Sequence, residues 1–352
     1  MTVAIIIHPN TRDEPQVISD ELMNEMLDLA INLNIKVPLK RIAKIKKINP
    51  ATLIGSGLIN EINLIISEMK VNLLIVNTNL TPRQQKNLED KLKIKVTDRT
   101  GIILEIFAKR AKTNEGKMQV ELADLIYRKS RLVRAWTHLE RQRGGTTFIG
   151  GPGELQIELD RRLIQEKITR IKRKLEKVKK RRGQQRKLRN KSNFKTFALV
   201  GYTNAGKSKL FNSLTGQKQS SKNILFETLD TKIGRVYLNE RKYIGVIDTV
   251  GFINNIPTQL VESFKATLEE LFFADYLINV IDINDDNYKD KEKTTIETLK
   301  KASVEKRKLN NMITVFNKID LYKKNIENNN YNLVSAQTGH GIEEFKLKLG
   351  EY

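Results

Sequence analysis

Cysteine is absent from the 352 residues, so disulfides and thiol chemistry are excluded, as in proteins of a reducing cytoplasm. Histidine occurs only at His8, His138 and His340, too few and too scattered for a metal cluster or imidazole acid–base catalysis. No apolar run approaches the roughly eighteen residues of a membrane span. The N-terminal MTVAIIIHPNTRDEP has a short strand-like run but lacks the basic start and long apolar core of a secretory leader. Internal repeats are absent too, and the basic run described next is the one biased tract. The expectation is a soluble, cytoplasmic protein with two or three domains.

Cationic charge is what the chain has in excess, with a formal net charge of +22. Between Arg161 and Lys191 sixteen Lys or Arg face two Glu. The same stretch carries Ile164, Ile168, Ile171, Leu175 and Val178 at alternating spacings of four and three, the seam of a coiled coil. Upstream, Met118, Leu122, Leu125, Leu132, Trp136 and Leu139 fit the same frame, interrupted at Lys129. Two such helices predict an antiparallel hairpin. Its turn, GGTTFIGGPGE from Gly144 to Glu154, has five glycines and an aromatic candidate, Phe148. Glycine permits close backbone approach to a partner, and Arg141, Arg143, Arg161 and Arg162 flank it with phosphate-seeking charge. A long basic arm of this kind suits RNA. A solvated helix pair and a peripheral membrane-surface helix are the alternatives.

A second pattern carries the chemistry. After the apolar run Thr196 to Val200 comes Gly201-Tyr202-Thr203-Asn204-Ala205-Gly206-Lys207-Ser208, a complete G-x-x-x-x-G-K-[ST] loop between a strand and a helix. Its glycines let successive N–H groups turn toward phosphate oxygens at a helix N-terminus. Lys207 is placed to reach the β- and γ-phosphates and Ser208 to ligate Mg²⁺. Asp248-Thr249-Val250-Gly251 ends the run Tyr243 to Ile247. There a carboxylate can hold Mg²⁺ through water, and the Gly251 N–H can sense the γ-phosphate. Between the two lies Phe226-Glu227-Thr228-Leu229-Asp230, with Thr228 as a second hydroxyl for the metal. Asn317-Lys318-Ile319-Asp320 follows the run Met312 to Phe316. A carboxylate at Asp320 accepts from guanine N1–H and N2, which adenine cannot match, so GTP is expected over ATP. Ser335-Ala336-Gln337 then supplies a backbone N–H to the guanine oxygen. Phe252 stands where small GTPases have a water-orienting glutamine, which predicts slow intrinsic hydrolysis and dependence on a partner.

The first hundred residues predict a small α/β region. Strands are expected at Val3 to Ile7, Leu53 to Ile54, Leu73 to Val76 and Ile94 to Val96, with helices at Glu21 to Leu33, Leu58 to Met69 and Arg83 to Leu92. Gly55-Ser56-Gly57 reads as a βα turn.

The blocks DRTGIILEIFAKRA (98 to 111), EGKMQVELADL (115 to 125), RGGTTFIGGPGELQIELDRR (143 to 162), FETLD and DTVGFI resemble the HflX family of ribosome-associated GTPases. The resemblance implies a P-loop GTPase domain at 194–352, a mostly parallel sheet with helices on both faces. A small α/β subdomain at 1–110 and the basic hairpin at 111–193 precede it; many members carry a further C-terminal domain, and in departure from them none is expected here. It implies nucleotide contacts from Gly201 to Ser208, Phe226 to Asp230, Asp248 to Gly251, Asn317 to Asp320 and Ser335 to Gln337, with Ser208 and Thr228 on Mg²⁺. It further implies a monomer whose hairpin binds the large ribosomal subunit and its rRNA, with GTP-dependent dissociation of stalled or idle ribosomes under stress. Glu227 and Lys232 depart from the family pattern in the first switch. The alternative is a nucleotide-gated RNA-binding or ribosome-assembly protein in which hydrolysis is incidental.

Overall fold

The computed structural model describes residues 2–11, 15–135, 152–191, 194–217, 225–226, 231–238, 242–254, 270–322 and 332–352. The chain divides into two compact units, Met1–Lys109 with Val120–Arg173, and Arg110–Gln119 with Lys174–Tyr352.

The first unit opens with β1 (Val3–Asn10), α1 (Gln16–Asn32), β2 (Lys36–Lys44), α2 (Ser56–Met69), β3 (Leu73–Val76), α3 (Pro82–Leu92), β4 (Lys95–Asp98) and α4 (Arg99–Arg110). Its strands form a four-stranded sheet in the order β2-β1-β3-β4, parallel throughout. Parallel neighbours need a crossover, and α1, α2 and α3 supply them. The central strands β1 and β3 are continuous apolar runs, and Ile5, Ile6, Ile7, Leu74 and Ile75 are fully buried. α3 begins with a capping box. Thr81 Oγ1 accepts from the Gln84 N–H at 3.2 Å, and Gln84 Oε1 accepts from the Thr81 N–H at 3.0 Å.

One expected strand is absent, and one strand is present that the sequence did not suggest. Leu53 and Ile54 do not form a strand: Leu53 has φ +66° and makes one isolated bridge to Asn49, so the buried pair closes a turn. The strand β2 does exist, at a place where Pro38 and the spaced lysines hide the strand periodicity. Gly55 is the N-cap of α2, as a βα turn requires.

The two helices of the expected hairpin are α5 (Asn114–Ala135) and α6 (Pro152–Lys191), and the residues between them lie outside the described ones. Pro152 starts α6, where its missing N–H costs nothing, so the last residues of the glycine-rich segment are helical rather than turn. The expected seam is the packed one. Ile168 and Ile171 are buried and Ile164, Leu175 and Val178 half-buried, while Arg161, Arg162, Lys167, Arg170 and Lys172 are exposed. On α5, Leu122 and Leu125 are buried. Lys129, which interrupts that frame, donates to Gln165 Oε1 on α6 at 2.5 Å. Trp136, Leu139, Arg141, Arg143 and Phe148 lie outside the described residues.

A buried ion pair fixes α5 to the end of β4. Asp98, at 1% exposure, accepts from Arg131 Nη2 at 2.6 Å, from the Tyr127 hydroxyl at 2.7 Å and from the Gly101 N–H at 2.9 Å. Burial first, then the Asp98 charge, pushes the Tyr127 phenol well above the ordinary tyrosine range.

The second unit continues with β5 (Thr196–Val200), α7 (Lys207–Thr215), β6 (Lys232–Tyr237), β7 (Tyr243–Asp248), β8 (Tyr276–Asp282) and α8 (Tyr288–Lys301). α9 (Lys306–Asn310), β9 (Ile313–Asn317), β10 (Asn332–Leu333) and α10 (Ile342–Leu349) complete it. The six-stranded sheet has the order β10-β9-β8-β5-β7-β6, and among the described strands β6 alone runs antiparallel to its neighbour. Alternate residues of β5 enter two different cores. Phe197 and Leu199 pack with α7 and α10 through Leu210, Phe211 and Phe345, while Ala198 and Val200 pack with Leu271, Leu277 and Leu299. Helices therefore cover both faces. β6 and β8 were not anticipated from the sequence.

Candidate functional site

Because β5, β7, β8 and β9 run in the same direction, their carboxyl ends open on one edge of the sheet. That edge brings together Gly201, Asp248, Asp282 and Asn317, the residues that end or follow the four strands. Side chains from segments more than a hundred residues apart in sequence meet there.

The loop after β5 is shaped by backbone that only glycine or asparagine adopts readily. Gly201 has φ +142°, Asn204 φ +64° and Gly206 φ +89°. A Cβ on Gly201 would overlap the Val280 carbonyl, and one on Gly206 would overlap Asn317 Nδ2. Both glycines are thus required by space as well as by φ.

Lys207 begins α7 with its side chain folded back over the loop, and its Nζ donates to the Tyr202 carbonyl at 2.7 Å. The residue is buried. Burial pushes its ammonium down to about 8, with Lys318 acting the same way and Asp248 opposing. A polyphosphate here would favour the charged form. Asp248 is 1% exposed, and Thr249 Oγ1 donates to the Leu199 carbonyl at 2.6 Å, holding the end of β7 against β5. Gly251 lies where a Cβ would come within 2.9 Å of Lys207 Nζ, Thr203 Cα and Thr203 Cγ2. The β5–α7 loop and the segment after β7 therefore touch.

They are also stitched along the backbone. The Thr203 N–H donates to the Phe252 carbonyl at 2.7 Å, and the Phe252 N–H donates to the Gly201 carbonyl at 3.1 Å. Just beyond, the Asn254 N–H donates to the Tyr202 hydroxyl at 3.0 Å, and Asn254 Oδ1 accepts from Thr294 on α8 at 3.2 Å. The Phe252 ring is buried, packed with Ala198, Ile247 and Leu271 in the core. It points away from the task a glutamine would perform. Thr203 Oγ1 is buried and has no hydrogen-bond partner among the described residues.

Asn317 is the hub of the segments that follow β9 and β10. Its Nδ2 donates to the Ala205 carbonyl at 3.0 Å and its Oδ1 accepts the Ala336 N–H at 3.0 Å, so one side chain ties three motifs together. Lys318, with φ +67°, pairs with Asp282 at 2.6 Å. Asn284 Nδ2 donates to the Lys318 carbonyl at 2.7 Å. Ser335 Oγ donates to Asp320 Oδ1 at 2.6 Å, which orients that carboxylate. The sequence reading missed Asp282, Asn254 and Thr294. Asp282 had a signal, an acid closing the apolar run of β8.

The oxygen donors suit a hard cation such as Mg²⁺. The Ser208 hydroxyl follows Lys207 in the first turn of α7, and the Asp248 carboxylate acts electrostatically on Lys207 from the neighbouring strand. Glu227, Thr228, Leu229 and Asp230 lie outside the described residues; Phe226 is buried with φ +55°. Val250, Ile319 and Gln337 contribute backbone to these segments.

Comparison with known proteins identifies the architecture. Residues 20–108 match the family described as "GTP-binding GTPase N-terminal", 110–189 "GTP-binding GTPase Middle Region", and 196–318 "50S ribosome-binding GTPase". The chain is 46% identical over 345 residues to "GTPase HflX" of Magnetococcus marinus, covering 96% of this chain and 79% of that protein. It is 40% identical to "GTPase HflX" of Escherichia coli over 311 residues, covering 86% and 72%. The crystal structure of an SsGBP and GDP complex aligns over 100% of this chain and 98% of that one, at 25% identity and a TM-score of 0.51. A GTP-binding protein of Sulfolobus solfataricus in complex with GDP aligns at 24% identity with a TM-score of 0.50, a likeness of fold. With relatives this similar along most of its length and the nucleotide motifs gathered on one sheet edge, the chain belongs to the HflX family of GTPases.

Proposed function

We propose that this chain binds GTP with Mg²⁺ at the β5–α7 loop, hydrolyses it to GDP and phosphate, and works on the large ribosomal subunit. There its GTP form dissociates stalled or idle ribosomes. In this reading 1–110 is the α/β subdomain, 111–193 the RNA-binding arm and 194–352 the GTPase domain, acting as a cytosolic monomer. The observation that carries the nucleotide site is Asn317, whose two hydrogen bonds join the phosphate loop to the Ser335-Ala336-Gln337 segment.

In this site the backbone N–H groups of Gly206, Lys207 and Ser208 at the start of α7 cradle the phosphates, and Lys207 turns from the Tyr202 carbonyl to the β- and γ-phosphates. Ser208 and Thr228 would hold the metal, and Asp248 would hold it through water. Bound Mg²⁺ neutralises charge on the phosphate oxygens. Gly251 offers its N–H to the γ-phosphate, and Asp320, fixed by Ser335, accepts from guanine. Asp320→Asn should lose GTP preference and gain xanthine nucleotides, read by competition binding.

Support for the ribosomal partner comes from α6, with its exposed Arg161 and Arg162 among sixteen cations, and from the family description matched at 196–318. A second reading, nucleotide-gated RNA binding with incidental hydrolysis, draws on the buried Phe252 ring. GTP turnover with and without added large subunits separates them, with Lys207→Ala as the blank. Strong stimulation supports the first, tight binding without stimulation supports the second, and neither binding nor stimulation removes the ribosome from the account.

A further inference from the structure

We propose that the Thr203 hydroxyl is a catalytic group that hydrogen-bonds the γ-phosphoryl oxygens of GTP as hydrolysis proceeds. The inference rests on the reading of this loop as the GTP site, and it deepens that reading by giving one residue a role no phosphate-loop pattern assigns.

Three observations converge on Thr203. Its Oγ1 is buried and without a partner among the described residues, while its N–H is already committed to the Phe252 carbonyl. A buried hydroxyl left unpaired destabilises the fold, and such a group at a functional site calls for an explanation. The side chain also stands against Gly251 and close to Lys207: a Cβ on Gly251 would lie 2.9 Å from Thr203 Cγ2 and 2.9 Å from Lys207 Nζ. These are the two residues assigned to the γ-phosphate above. Finally, the Phe252 ring sits in the core with Ile247 and Leu271, so the position that carries a water-orienting glutamine elsewhere supplies no polar group. Thr203 brings one donor and two acceptor lone pairs to the place where a polar group is missing.

The step balances without any added reagent. The oxygen of a water molecule bonds to the γ-phosphorus as the bond from that phosphorus to the β–γ bridging oxygen breaks. GDP leaves with the bonding pair, and the proton released by the water ends on inorganic phosphate. Thr203 keeps its proton and donates a hydrogen bond to a non-bridging oxygen, where charge is spread in the transition state. The γ-phosphoryl oxygen is the acceptor that the protein itself does not offer, and GDP lacks it. Thr203 should therefore matter to turnover and not to product affinity.

Thr203→Val, nearly isosteric but without the hydroxyl, and Thr203→Ser, which keeps it, test the proposal in the full chain. The expected result for Thr203→Val is a kcat lowered by about 100- to 1000-fold, with GDP affinity unchanged. Its nucleotide-free melting temperature should be equal to or above that of the parent, because the unpaired group is gone. Thr203→Ser should retain most of the turnover. Parental turnover in Thr203→Val would overturn the proposal. So would a parallel fall in GTP and GDP affinity, which would mark a distorted loop. Lys207→Ala separates the two levels of the argument. If it still turns over GTP, the site reading itself fails; if it is dead while Thr203→Val is unimpaired, only the role of Thr203 falls.

Discussion

Asn317 shows how much one side chain can carry. Both its amide groups bond to buried backbone, so Asn317→Ala leaves the Ala205 carbonyl and the Ala336 N–H without partners. Each orphan costs about 1–3 kcal/mol. Denaturant unfolding should show a loss of about 2–6 kcal/mol, and GTP affinity should fall with it, because the β5–α7 loop and the Ser335-Ala336-Gln337 segment lose their common strut. The place of this residue at a strand end was legible, since the apolar run before it reads as a strand. Its mechanical role was not, because spacing says nothing about which carbonyl a side-chain amide will meet. Asp282 was missed for a related reason. An acid at a strand end has many uses, and only the fold reveals Lys318 at 2.6 Å. Gly201 and Gly206 were readable as glycines the loop requires, and the overlap with the Val280 carbonyl and the Asn317 amide supplies the cause.

At the scale of elements, continuous apolar strands were the easiest to read and cationic or polar ones the hardest. β3 and β5 fall where the apolar runs end, whereas β6, with lysine and arginine among its residues, gave no apolar pattern to follow. The heptad seam of α6 was readable because Ile168 and Ile171 keep its period against a background of cations, and burial follows that period. The attachment of α5 was invisible. It depends on Asp98 accepting from Arg131, Tyr127 and Gly101, residues that no pattern links. Asp98→Ala would leave the Arg131 guanidinium, itself 19% exposed, without its carboxylate and the Tyr127 hydroxyl and Gly101 N–H without their acceptor. A destabilisation of about 3 kcal/mol is expected, seen as a lower denaturation midpoint. Glu25, paired with buried Arg99 at 2.5 Å, is a comparable strut elsewhere in the same unit.

For the whole molecule the dominant quantity is charge. A net +22 with sixteen cations on one segment makes any contact with a polyanion salt-dependent. If the arm meets ribosomal RNA, subunit affinity measured by sedimentation should fall by roughly 10³-fold between about 50 and 200 mM salt, as for six or more phosphate contacts. Charge reversal at Arg161 and Arg162, both exposed, should flatten that slope while leaving GTP affinity unchanged. The same excess of lysine bears on how the molecule behaves among copies of itself. β2 is the outer strand of its sheet among the described residues, and it carries Lys36, Lys40, Arg41 and Lys44 together with Pro38, which has no N–H to offer a neighbour. The features that hid this strand from periodicity are those that keep an open sheet margin from recruiting another chain. Replacing Pro38 and the three lysines with valine should leave the fold intact and raise the tendency to form ordered aggregates above that of the parent, detectable by light scattering and thioflavin fluorescence.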